Sequence, residues 1–241
     1  MDENGDPERT FERKTMSVDI RFLGHAAFTL SNENHCIAID PFLTGNPLAE
    51  KAGITKESID PTHIALTHGH TDHVGDTLEL ATRCGCEILA AFEICEWAAE
   101  QGIESVNPGN PGGRFDTDFG WIAFTQAFHS SSFEGRYMGM PCGLVLNIGG
   151  VTIYHAGDTA LFGDMALIGE LYKPDVAILP IGDRFTMGPE HASRAAEMIK
   201  PTIAIPCHYG TWDLIDIDPA RFKPTGIEVK TLLPGETYTA S

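Results

Sequence analysis

Three histidines and an aspartate fall within six residues of the stretch Thr67-His68-Gly69-His70-Thr71-Asp72-His73-Val74-Gly75-Asp76. Neutral imidazole is the commonest side-chain metal ligand, and carboxylate oxygen completes mixed nitrogen and oxygen sites. The apolar run His63-Ile64-Ala65-Leu66 leads into the cluster, and a helix-like segment follows it. At the end of an extended strand, residues i and i+2 point the same way, so His68 and His70 can share one ion. Asp72 and His73 fall where the chain turns into the helix and can reach a second ion. A polar loop that happens to be rich in histidine is the plain alternative. The spacing and the strand-to-helix setting favour metal binding.

The surrounding elements read as alternating strands and helices. Residues 18–23 alternate, with Val18, Ile20 and Phe22 on one face, and 26–30 and 36–39 complete an antiparallel meander. A long irregular loop spans 41–61. Helices are expected over 76–83, 92–101, 161–173 and 189–200, the last with Pro189 in its first turn, where a missing N–H costs nothing. Strands are expected over 87–90, 121–128, 176–180, 203–206 and 228–232. Gly149-Gly150 joins 143–148 to 151–155 as a hairpin. Residues 107–113, rich in Pro and Gly, read as a loop. Hairpins and strand–helix alternation together imply a mixed sheet covered by helices.

Three further candidate ligands emerge from this pattern. His129, Asp158 and His208 each lie just past the end of an apolar run, as the first cluster does. Open sheets place ligands at strand ends. A lone histidine in such a place is most often a hydrogen-bonded surface residue; the recurrence in four segments is what points to one shared cleft.

Composition bounds the partners. Among 241 residues, 16 basic and 34 acidic side chains leave a net charge of −18, which argues against a phosphate-tracking surface and against docking on anionic membranes. Neither nucleic acid nor membrane is therefore expected as a partner. The six cysteines are scattered without a C-x-x-C pair, so a disulfide framework is not expected; Cys36 and Cys207 read as small core residues. Cys207 precedes His208, but strand alternation turns it from its neighbour's face. Residues 1–16 read as a disordered tail and 17–241 as one domain. The tail lacks the apolar core of a signal peptide, and no window has the apolar length of a bilayer span, so the expected location is cytoplasmic.

The order H-x-H-x-D-H, a distant His, an Asp after Ala156-Gly157 and a last distant His resembles the metallo-β-lactamase superfamily over residues 17–241. Ile39-Asp40-Pro41-Phe42-Leu43, Asn110-Pro111-Gly112-Gly113, His129-Ser130-Ser131, His155-Ala156-Gly157-Asp158-Thr159, Thr186-Met187-Gly188-Pro189-Glu190 and His208-Tyr209-Gly210-Thr211 resemble its UPF0173 metal-dependent hydrolase branch, which is similar to the ascorbate-6-phosphate lactonase group. The resemblance implies an α/β fold, an αβ/βα sandwich of two mixed sheets flanked by helices, with a dinuclear metal site at one edge. It implies that His68, His70 and His129 hold the first ion, that Asp72, His73 and His208 hold the second, that Asp158 bridges them, and that Asp40 braces the 68–73 loop.

Such a site implies a hydrolase that cleaves an ester, lactone, thioester, amide or phosphodiester, with Asp72 orienting the attacking water and shuttling its proton. Zinc suits several imidazoles; manganese, iron and nickel are not excluded by the ligand types. Asp158 in place of a cysteine argues against the thiolate-containing β-lactamases, and His70 in place of a glutamate against the flavin-partnered di-iron reductases. A nuclease, a mononuclear iron dioxygenase and a non-catalytic metal-binding protein stay open on the same fold. The expected partner is a small-molecule substrate, with an anionic one as one reading, and homo-oligomerisation is left open. Arg184 departs from the branch pattern, which usually has Asn there and Asp where this chain has His191; it can bind a carboxylate or phosphate. His25 is read either as structural or as lining the cleft with Arg184. His155 reads as packed, His35 and His63 as strand-edge residues, and 130–141 as a lid or a plain loop.

Overall fold

The computed structural model describes residues 17–241; the tail expected over 1–16 lies outside them. The first half of the chain holds strands β1 (Val18–Gly24), β2 (Ala27–Ser31), β3 (Cys36–Ile39), β4 (His63–Ala65), β5 (Glu87–Ala91) and β6 (Val106–Gly109). Helices α1 (Pro47–Lys51), α2 (Thr71–Val74), α3 (Thr77–Cys84) and α4 (Phe92–Glu100) lie among them. The second half holds β7 (Arg114–Thr117), β8 (Gly120–Gln126), β9 (Ser132–Phe133), β10 (Arg136–Tyr137), β11 (Cys142–Ile148), β12 (Val151–His155), β13 (Val176–Pro180), β14 (Ile203–Cys207), β15 (Glu228–Val229) and β16 (Thr237–Ala240), with helices α5 (Met165–Tyr172) and α6 (Pro189–Ile199).

Two seven-stranded sheets result, ordered β16-β1-β2-β3-β4-β5-β6 and β15-β14-β13-β12-β11-β8-β7. Each is antiparallel at one end and parallel at the other. Alternation along the strands builds the layers. In β11, Leu144, Leu146 and Ile148 join the core between the sheets. Val145 joins a second core under α5 and α6, with Ala123, Ala177 and Ala204 facing Ala192, Ala195 and Ala196. Small residues on both sides let α6 approach the sheet closely. On the other side, Leu80 of α3 and Ile94 and Ala98 of α4 are buried with the first sheet. The architecture is the sandwich of two mixed sheets flanked by helices that the resemblance implied.

Several boundaries differ from the sequence reading, each for a physical reason. The loop expected over 107–113 begins as β6, an edge strand in which Pro108 is tolerated because it has no inner ladder to donate to. The 41–61 loop contains α1, capped by the Asn46 side chain, which accepts from the Leu48 N–H at 3.0 Å. The helix expected over 161–173 starts only at Met165, after Gly163 and Asp164. The strand expected over 228–232 shortens to β15, and β16 was not anticipated; it pairs with β1, Val18 opposite Ala240, and closes the first sheet. No helix among the described residues is long and apolar enough to cross a membrane.

Within the first sheet β1, β3 and β4 run parallel, and within the second β8, β12, β13 and β14 do; the His208 N–H donating to the His25 carbonyl at 2.7 Å and the Cys142 N–H to the Thr67 carbonyl at 2.8 Å join the two sheets at the C-terminal ends of β1, β4 and β14.

Candidate metal centre

Each candidate ligand sits just beyond the C-terminal end of one of these strands. His68, His70, Asp72 and His73 follow β4, His129 follows β8, Asp158 follows β12 and His208 follows β14. Their donor atoms gather into three overlapping groups, within each of which the atoms lie within 4.8 Å of one another. These groups are His68, His70 and His129; His68, His73 and Asp158; and His25, Asp72, His73 and His208. Asp158 stands in the middle: its Oδ2 is 3.5 Å from His129 Nε2, 3.5 Å from His73 Nε2 and 3.0 Å from His208 Nε2.

The donor chemistry fits a cation. His73 Nε2, both ring nitrogens of His208 and Asp158 Oδ1 are buried without an aligned hydrogen-bond partner among the described residues. Leaving a buried polar atom unpaired costs about 1–3 kcal/mol, and a metal ion would satisfy several at once. Burial and the neighbouring His73 hold the His68 imidazole well below its usual pKa, and burial lowers His70 and His129 as well. These three rings are therefore neutral and able to ligate. Burial opposes charge on His73 too, but Asp158 and Asp40 on its two sides prevail and raise its pKa. Burial likewise opposes charge on Asp158, and the facing His208 and His73 outweigh it, holding the carboxylate ionised.

Local bracing fixes the donor loop. Asp40, fully buried, accepts from the Thr67 N–H at 2.8 Å, the Thr67 hydroxyl at 2.6 Å and His73 Nδ1 at 2.7 Å. Asp40 thus contacts the 68–73 loop through His73 and through Thr67, a partner that the sequence did not flag. Asp76 ties the same loop to 41–44, accepting from the N–H groups of Leu43 and Thr44 at 2.9 and 2.8 Å. Gly69 must be glycine because a β-carbon there would lie 2.2 Å from Met138 Cβ. Gly157, at φ +62°, takes the left-handed turn that aims Asp158, and a β-carbon there would meet the Cys142 carbonyl at 2.6 Å.

His25 is placed otherwise than a substrate contact would be. It is fully buried; Nε2 lies 3.0 Å from Asp72 Oδ2 and Nδ1 2.8 Å from the Thr211 hydroxyl. Both ring nitrogens are committed, so His25 braces Asp72. Burial, chiefly, lowers its pKa to about 4. For Asp72, burial works against ionisation, but the bond to His25 and the charge of His73 carry its pKa below the ordinary carboxylate range. The sequence reading does not contain the Thr211–His25–Asp72 chain, although Thr211 stands in the quoted His208-Tyr209-Gly210-Thr211 motif.

Arg184 lies on the exposed loop after β13, its guanidinium 5.9 Å from the Phe185 ring. His155 is buried and reaches the Ala26 carbonyl, the packed role expected of it. Cys207 is buried, and burial keeps its thiol protonated, unsuited to ligation. His35 and His63 sit at the opposite edge of the first sheet against Asp118. The 130–141 segment is a small β9–β10 hairpin, not a free flap. Phe133 packs on Trp97 at 5.2 Å, Arg136 pairs with Glu100, and Ser131 Oγ accepts from the Gly69 N–H at 3.1 Å.

The solvent-facing side of the cluster consists of His70, Asp72 and His129, whereas His68, His73, Asp158 and His208 are buried beneath. Among the described residues, that is the side on which the cluster meets solvent.

Comparison with known proteins agrees with this architecture. The sequence profile described as the Beta-lactamase superfamily domain matches residues 35–209. A UPF0173 metal-dependent hydrolase of Methanosarcina mazei is 44% identical over 229 residues, covering 91% of this chain and 97% of that protein. Another from Desulforamulus reducens is 45% identical, covering 91% and 98%. Igni18, a metallo hydrolase of the archaeon Ignicoccus hospitalis, superposes with a TM-score of 0.85 at 36% identity, over 93% of this chain and 99% of that one. With so much of its length shared, the chain belongs to the UPF0173 metal-dependent hydrolases of the β-lactamase superfamily.

Proposed function

We propose that residues 17–241 form one catalytic domain that hydrolyses an ester, lactone or phosphodiester bond of a small molecule at a dinuclear metal site, with zinc as the first choice of ion. His68, His70 and His129 would hold one ion and Asp72, His73 and His208 the other. Asp158 would serve both. The observation that carries this reading is the position of Asp158 Oδ2, 3.0–3.5 Å from ring nitrogens of both sets. Two divalent ions at such a site supply Lewis acidity toward a carbonyl or phosphoryl oxygen and lower the pKa of a nearby water to about 7.

The chain's own groups do the rest. Asp72, with its side chain 26% exposed, reaches the solvent side, orients the attacking water and passes its proton to the leaving group. His25 and Thr211 keep that carboxylate turned to its task. Asp40 and Thr67 hold the loop that carries three of the imidazoles. The acidic balance of the chain favours a small substrate over nucleic acid.

The test is a metal-stripped protein reloaded in turn with zinc, manganese, iron and nickel, and assayed against ester, lactone and phosphodiester panels. Turnover that requires metal and drops at least a hundredfold in Asp72→Asn is expected. No turnover of any class with any metal would overturn the reading.

A further inference from the structure

Ten large hydrophobic side chains are exposed on the described residues, and six of them sit on the segments that carry or touch the donor cluster. Phe128 (59% exposed) immediately precedes His129. Tyr137 and Met140 flank Met138, whose side chain covers Gly69 between His68 and His70. Phe185 lies on the loop after β13, where a β-carbon on Gly182 would come within 2.3 Å of the His208 carbonyl, and where the Met187 N–H donates to the Thr159 carbonyl beside Asp158. The Trp212 ring stands 4.9 Å from His25, and Leu214 follows on the same turn. Scattered exposed leucines and phenylalanines mean nothing, but apolar groups gathered on the segments around one polar cleft mark a binding surface.

Arg184 adds the second element. In this strongly acidic chain, Arg83, Arg114, Arg136, Arg194 and Arg221 each pair with a carboxylate, and Arg21, far from the cluster on β1, donates to the Gly235 carbonyl at 3.4 Å. Arg184 has no carboxylate within ion-pair distance among the described residues, although it is exposed and belongs to the same loop as Phe185. A guanidinium left unpaired beside an aromatic ring is suited to a planar or tetrahedral anion.

We infer that the open rim of the donor cluster is a subsite for an amphiphilic anion: an acyl or aryl group seats on Phe128, Phe185, Trp212 and Leu214, and a carboxylate or phosphate meets Arg184. The inference deepens the hydrolase reading by giving its substrate an apolar arm and an anionic group. It rests on that reading for the choice of edge, but binding at the rim can be measured without turnover.

The experiment is calorimetric titration of the zinc-loaded full chain with straight-chain alkyl carboxylates of increasing length, kept below their micelle concentrations, beside alkyl phosphates and neutral alcohols of equal length. Affinity is expected to rise about twofold to fourfold per added methylene. The double variant Phe185→Ala, Trp212→Ala should flatten that dependence. Arg184→Gln should weaken the anions about fivefold to tenfold and leave the alcohols unchanged. The stronger of the carboxylate and phosphate series identifies the anion. No binding, length-independent binding, or binding untouched by either variant would overturn the subsite. So would a wild-type dimer, seen by light scattering, that the double variant dissociates, since the rim would then be covered by a second copy. Failure of every hydrolysis panel alongside length-dependent binding would sink the hydrolase reading while leaving the subsite in place.

Discussion

The two sheets furnish the candidate centre in opposite ways. The first contributes four donors from one six-residue loop after β4, whereas the second contributes three single residues, His129, Asp158 and His208, from three separate strand ends. The first arrangement is local: Asp40, Thr67 and Gly69 shape one loop, and its donors come together whenever that loop folds. The second is global: 79 residues separate His129 from His208, and only correct registry of β8, β12 and β14 brings them together. Asp158 is where the two contributions meet, facing His73 from one sheet and His129 and His208 from the other.

Breaking that meeting point should have the largest effect. Asp158→Asn removes the one charge that faces both sets, and kcat/KM for any metal-dependent substrate should fall about a thousandfold, with a loss of bound metal read by elemental mass spectrometry. Asp40→Asn tests the local half alone. It weakens the bonds to Thr67 and His73 but touches no substrate, so metal affinity should drop about 10–100-fold and the urea midpoint should fall as well. Equal effects from both variants would contradict the distinction between a shared residue and a loop brace.

The same distinction explains what the sequence made legible. The H-x-H-x-D-H loop could be read directly, because its chemistry and its geometry are both local. His129, Asp158 and His208 became visible only through the recurrence of one placement, a polar residue just past an apolar run. The Thr211–His25–Asp72 chain was not legible, since 186 residues separate His25 from Thr211 and no local periodicity encodes the contact. β16 escaped for the same reason: its partner β1 lies at the other end of the chain. Pro108 hid an edge strand because proline reads as a breaker unless the outer side of the strand is known to be free.

His25→Ala should then give a smaller loss than either carboxylate change. With Asp72 no longer held, kcat should fall about tenfold while metal content stays near that of the wild type; His25→Gln, able to span Thr211 and Asp72, should recover part of it. Loss of metal in His25→Ala would instead make His25 a ligand of the fourfold group that it shares with Asp72, His73 and His208.

The last expected effect is on stability against pH in the metal-free chain. His25, with its pKa lowered to about 4 by burial, stays neutral where the unfolded chain already takes up protons, below about 6.5. The unfolded state then binds more protons, so stability is full above pH 6.5 and declines as the pH falls toward 4. His25 alone should contribute a loss of about 2 kcal/mol at pH 5, and His68, His70 and His129 act in the same direction. His73 acts oppositely: its raised pKa contributes stability below 6.5 that is lost as the pH rises through its folded value. Urea midpoints at pH 7.5 and 5.0 measure the balance, and a higher midpoint at pH 5.0 would contradict it.

The most direct test of the central claim, that both sheets complete one dinuclear centre, is the number of divalent ions per chain in protein purified without chelator. Two ions in the wild type, falling to one or fewer in Asp158→Asn, is the predicted result. A single ion in the wild type that survives Asp158→Asn would contradict it and assign metal binding to the loop of the first sheet alone.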